Sequence, residues 1–153
     1  MELSSATPSL TSTHEFRDQS LQAVVGVDVQ SVDDVVLSLS HFGDRYLQRI
    51  FSPEEIEYAR VHPATRAPYL AGRFAAREAV VKVLRLDDAP PPWSDIEITG
   101  VQRPRARLTS VALDAAATLG ITEILLSIDY GRTHATAVAI ADATAINNGR
   151  AGD

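Results

Sequence analysis

LAGRFAAREAVVKVL, residues 70–84, holds the only lysine of this chain; every other Lys/Arg cation is an arginine. Wound at about 100° per residue, Ala76, Ala79, Val80 and Val83 fall on one face, the stripe expected to meet a core. Glu78, Lys82 and Arg85 lie nearly opposite, with Arg77 to one side and the apolar Phe74 and Val81 among them. A charged face carrying large apolar side chains predicts a helix that is covered there as well. It is expected to run from about Tyr69 to Leu86, where DDAPPPW closes it.

The flanking sequence supplies the other layer. LQAVVGVDV, with Val24, Val25, Val27 and Val29, reads as a buried strand interrupted by Asp28. Residues 31–50 read as one or two helices broken near Gly43. FSPEEIEYAR carries a helix start, with Ser52 as N-cap, Pro53 in the first position and Glu55 three residues after the cap. Beyond the central helix, SDIEITG and RPRARLT read as strands, residues 110–118 as a helix ending at Gly120, and ITEILLSIDY and HATAVAIAD as strands joined by YGRT. One strand, then helices, then a run of strands predicts a compact α+β domain over residues 22–142, a mixed or antiparallel sheet packed on the long helix. Residues 1–21 and 143–153 read as tails.

Composition narrows the chemistry. The chain of 153 residues has no cysteine, which excludes thiol catalysis and Cys-ligated zinc and fits the cytoplasm. No apolar run reaches the roughly 18 residues that cross a bilayer, and the N-terminus lacks the pattern of a signal peptide. A net charge of −6 argues against nucleic acid, for which only the alternating Arg103, Arg105 and Arg107 could speak. Glycines form no phosphate-loop or dinucleotide pattern, and His14, His41, His62 and His134 have no metal-ligand spacing.

Asp28, set in an apolar strand, calls for a partner or a metal, because an unpaired buried carboxylate is costly. Glu78 and Lys82 can form an i,i+4 ion pair. Lysine can also lose its proton where arginine essentially cannot. Two carboxylates with a lysine suit phosphoryl chemistry: Asp28 and Glu78 offer hard oxygens to Mg²⁺, and Arg73 and Arg77 suit phosphate oxygens.

The runs VVGVDV, FGDRYLQRIFSPEEIEYA, LAGRFAAREAVVKVL, WSDIEI and RPRARLT, in this order across residues 22–142, resemble the holo-acyl-carrier-protein synthases, the small 4′-phosphopantetheinyl transferases. The resemblance implies transfer of the phosphopantetheine arm of coenzyme A to a serine of an acyl carrier protein, releasing adenosine 3′,5′-bisphosphate. It implies Asp28 and Glu78 as ligands of Mg²⁺, Lys82 as the residue that helps the serine hydroxyl lose its proton or holds the phosphate, and Arg73, Arg77 and Arg103 as contacts of the coenzyme. A homotrimer with active sites between subunits is also implied.

The chain departs from the family pattern at several positions. Arg77 stands where a lysine is usual, Gln102 where a glycine is usual, and the acidic Asp33 and Asp34 lie on a helix that usually meets the carrier with basic residues; Arg45 and Arg49 remain as docking cations. Asp129 and Tyr130 occupy the places of a serine and an active-site histidine, and His134 reads as a surface residue of the next strand. Two expectations follow. One is a transferase acting on an unusual carrier, such as one from secondary metabolism. The other is a relative that binds coenzyme A, acyl-CoA or a carrier without transfer, or uses Asp129 and Tyr130 as a new acid–base couple.

Overall fold

The computed structural model describes residues 23–142; the tails expected at 1–21 and 143–153 lie outside the described residues. The elements follow the order β1 (Ala23–Ser31), α1 (Val32–Phe42), α2 (Asp44–Ile50), α3 (Pro53–Val61), α4 (Arg66–Val83), β2 (Ile96–Thr99), β3 (Arg105–Leu108), α5 (Ser110–Thr118), β4 (Ile124–Tyr130) and β5 (His134–Asp142). The strands form one five-stranded sheet in the order β1-β5-β4-β3-β2, antiparallel at every pairing, which settles the expected mixed or antiparallel sheet.

The central helix α4 lies across β1, β5 and β4. It can come close because both surfaces are built of small residues. Ala135, Ala137, Ala139 and Ala141 are the inward positions of β5, and Ala75, Ala76 and Ala79 face them from α4, all essentially unexposed. Gly26 of β1 marks the tightest approach, since a Cβ there would stand 2.0 Å from the Ala79 carbonyl oxygen.

The helix boundaries differ from expectation, for local reasons. α4 starts at Arg66, not Tyr69, because Pro68 sits in the first turn, where its missing N–H costs no hydrogen bond. It ends at Val83, before the prolines are reached. Arg85 adopts the left-handed conformation (φ 56°), and the bonds Leu86 N–H to Val81 O and Arg85 N–H to Lys82 O close a Schellman cap. Ser52 and Glu55 form the expected reciprocal capping box of α3.

β1 is not the buried strand expected from its valines. Val25, Val27 and Val29 are 54%, 48% and 57% exposed, while Gly26 and Asp28 turn toward α4. The valines alternate with Gly26, Asp28 and Gln30, and that period of two is the signature of a half-buried strand, not a continuous apolar run. The valine face continues across the sheet: Val25 pairs with Ile140, which pairs with Leu125, and Val27 pairs with Val138. No described element covers this face.

Candidate active site

Gly26, Asp28, Glu78 and Lys82 meet where α4 crosses β1. With no side chain at Gly26, the Cβ of Lys82 passes 3.2 Å from the point a glycine substituent would occupy. The slender lysine stem then runs along the strand, and Nζ donates to the Val27 carbonyl oxygen at 2.6 Å and to Asp28 Oδ1 at 3.0 Å. Lys82 therefore pairs with Asp28, not with Glu78 one turn earlier on its own helix.

Glu78 is half-buried. Burial is the main cause that pushes its carboxyl above the ordinary carboxylate range, and the negative charge of Asp28 pushes the same way. Lys82 opposes the shift, and Asp87 adds to it weakly. Two carboxylates thus sit close enough to repel each other, with one ammonium between the two layers.

The arginines of α4 stand elsewhere. Arg73 and Arg77 are 2% and 1% exposed and lie in the helical layer, not on an open charged face. Arg77 grips Glu55 of α3 with two bonds, Nη1 to Oε1 at 3.0 Å and Nη2 to Oε2 at 2.5 Å, and its guanidinium lies over the Phe51 ring. Arg73 Nε donates to the Tyr69 hydroxyl at 3.1 Å and lies 3.5 Å from Glu55 Oε1, and Nη2 donates to the Gly100 carbonyl oxygen at 2.7 Å. The cover predicted for the charged side of this helix is supplied here by α3 and Phe51 of the same chain. Neither guanidinium presents a surface to a phosphate in this arrangement, which differs from the expected coenzyme contacts.

Arg103 sits in the exposed turn between β2 and β3, and among the described residues no hydrogen bond or ion pair joins it to Asp28, Glu78 or Lys82. Asp129 and Tyr130 are neighbours on β4 and so point to opposite faces of the sheet. Asp129 is exposed, whereas the Tyr130 ring packs against Gly72, whose Cβ would meet it at 2.5 Å. The Tyr130 hydroxyl is buried and has no hydrogen-bond partner among the described residues, and burial raises its pKa. The two side chains do not meet as an acid–base couple. His134 is exposed at the start of β5, as expected of a strand-surface residue.

The sequence profile of the 4′-phosphopantetheinyl transferase superfamily matches residues 24–139. Holo-[acyl-carrier-protein] synthases are similar along most of their length: that of Moorella thermoacetica is 37% identical over 78% of this chain and 93% of its own, and that of Chlamydia trachomatis 38% identical over 77% and 98%. This chain belongs to the holo-acyl-carrier-protein synthase family. Among solved structures, the synthase–CoA complex of Chronobacterium ammoniagenes superposes with a TM-score of 0.65 at 29% identity, covering 78% of this chain and 96% of that one. The synthase of Plasmodium yoelii superposes at 0.64 with 26% identity, covering 76% and 91%.

One role in this synthase-family chain escaped sequence reasoning, that of Glu55 as the buried counter-ion of Arg73 and Arg77. Glu55 is 2% exposed and holds both buried arginines, yet its place in the capping box already explained it. The signal was indirect: two arginines one turn apart on a helix whose core stripe is alanine and valine need a buried acid from another element.

Proposed function

We propose that this protein transfers the 4′-phosphopantetheine group of coenzyme A to a serine of an acyl carrier protein, in the cytoplasm. The observation that carries this reading is the convergence of Asp28, Glu78 and Lys82 at the crossing of β1 and α4, in a chain whose relatives are named holo-[acyl-carrier-protein] synthase. A coenzyme A complex of a similar fold supports coenzyme A as the co-substrate.

The donor set fits Mg²⁺. Asp28 and Glu78 supply hard oxygens in a pair that repels itself, and a divalent cation would relieve that repulsion while leaving sites for waters and phosphate oxygens. Mg²⁺ bound there would offset charge on the pyrophosphate of the coenzyme. Lys82 uses two of its three N–H donors on Val27 and Asp28 and keeps the third for a phosphate oxygen. The serine oxygen forms a bond to the phosphorus that bears the pantetheine arm, the bond from that phosphorus to the bridging oxygen breaks, and adenosine 3′,5′-bisphosphate leaves with that oxygen and its electron pair while the serine proton passes to solvent water. The holding of charge and the aligning of these two oxygens are what the residues contribute. Arg103, exposed on its turn, is the arginine offered to the coenzyme.

The assembly proposed is a homotrimer joined through the open face of the sheet. Val25, Val27, Val29, Leu125 and Ile140 form an apolar patch there, and patches of this kind mark association surfaces. Val27→Asp is expected to yield monomers in sedimentation, since a charge in a buried interface strongly disfavours association. An unchanged mass would remove this face from the interface.

Incubation with Mg²⁺ and coenzyme A is expected to add one phosphopantetheine to a carrier protein, read as intact mass across fatty-acid and polyketide carriers. Folded protein that modifies no member of the panel would turn the reading toward a relative that binds without transfer.

A further inference from the structure

Arg73 is placed where it can brace the turn that carries Arg103. Its guanidinium is rooted in the protein interior by Tyr69 and Glu55, and Nη2 crosses to the Gly100 carbonyl oxygen at 2.7 Å, the first residue after β2. Gly100 is itself constrained, with φ 70° and no room for a Cβ, which would stand 2.6 Å from the Arg103 carbonyl oxygen. The turn thus folds back on itself over Gly100, and the bond from Arg73 fixes the residue on which it folds.

The rest of that region is loosely held. β3 joins β4 through a single paired position, Arg105 with Leu125, so the sheet gives the turn little support on that side. Arg105 is exposed, and Arg103 makes no bond of its own among the described residues.

We infer that Arg73 is a positioning residue: it braces the Gly100–Pro104 turn against α4 and so presents Arg103, and it is not itself a contact of the coenzyme. The part about the coenzyme rests on the reading above, in which Arg103 meets coenzyme A; the bracing stands on this geometry alone. Nothing but a guanidinium fits the role, because the three contacts diverge from one planar group and a lysine ammonium cannot reach them together.

Two measurements separate the bracing from its consequence. Hydrogen exchange of the ligand-free protein is expected to speed up in the ladder that flanks the turn, Ile96–Thr99 and Arg105–Leu108, in Arg73→Lys, with β5 still protected. Unchanged exchange there would overturn the bracing. In turnover, Arg73→Lys is expected to raise KM for coenzyme A about tenfold, the loss of one charge-assisted hydrogen bond, with kcat close to that of the parent. The double variant Arg73→Lys/Arg103→Ala should then bind coenzyme A no more weakly than Arg103→Ala alone, because both act through one contact. Additive losses would make Arg73 a direct ligand and overturn the inference. Gly100→Ala covers the case in which Arg73→Lys does not fold: it disturbs the turn that receives the bond while leaving every residue of α4 unchanged, and should raise the same KM. Wild-type KM in Gly100→Ala would count against the inference. Should exchange quicken in Arg73→Lys while Arg103→Ala leaves KM unchanged, the bracing holds and it is the coenzyme reading of Arg103 that fails.

Discussion

Glu55→Ala is expected to destabilise the folded chain by about 3–5 kcal/mol, which for a chain of this size lowers the thermal midpoint by roughly 10 °C. The carboxylate is 2% exposed and answers three groups at once: the Ser52 N–H at 2.9 Å, the fork of Arg77, and Arg73 beside it. Its removal leaves two arginines buried with no anion, and an unpaired buried charge costs far more than the pair contributed. Part of the loss is the α3 cap, about 1 kcal/mol by itself. Glu55→Gln separates the two, since it keeps an acceptor for Ser52 and removes only the charge; its cost should fall between that of alanine and zero. The double variant Glu55→Ala/Arg77→Met should recover part of the loss, because an apolar replacement removes one stranded charge. A denaturant midpoint within about 1 kcal/mol of the parent in Glu55→Ala would show that solvent reaches these guanidinium groups and that the layer is not sealed.

The fold was largely legible because its elements are announced locally. The capping box at Ser52 and Glu55, the break at Gly43, the end of α5 at Gly120 and the turn after Tyr130 all appear as written in short motifs. α4 was legible as a helix covered on two sides, from its apolar stripe and from Phe74 and Val81 on its charged face, but its ends were not, since a left-handed arginine closes it where glycine is the usual signal. β1 was misread because four valines in six residues outweighed the alternation that leaves three of them exposed. At the site, Asp28 was legible as an acid out of place in an apolar strand, Glu78 as a carboxylate on the charged helix face, and Lys82 as an exception to the arginine habit. The fates of Arg73 and Arg77 were not legible. Whether an arginine on a helix faces phosphate or a buried carboxylate depends on which element packs above it, and the partner, Glu55, lies 22 residues from Arg77 along the chain.

Glu78→Gln is expected to separate activity from stability. Transfer should fall about 10³-fold or more, the rate equivalent of roughly 4 kcal/mol of charge stabilisation lost with one of two metal-binding oxygens. The metal-free variant should nevertheless melt higher than the parent at neutral pH. Burial and the neighbouring Asp28 raise the Glu78 carboxyl above its ordinary value. A group raised on folding gives stability that is complete below its unfolded value and is lost as the pH rises through the folded one. At pH 7 the ionised Glu78 therefore works against the fold, and a neutral glutamine of the same shape removes that penalty. The gain should shrink as the pH is lowered through the carboxylate range, where the parent is protonated as well. Mg²⁺ should raise the melting midpoint of the parent and leave that of the variant nearly unmoved, since only the parent holds both oxygens. Melting curves with and without Mg²⁺ at neutral and acidic pH, beside one intact-mass transfer assay, test every part. A variant that melts lower than the parent without metal would show that Glu78 has a structural partner, and turnover within tenfold of the parent would take it out of the metal site.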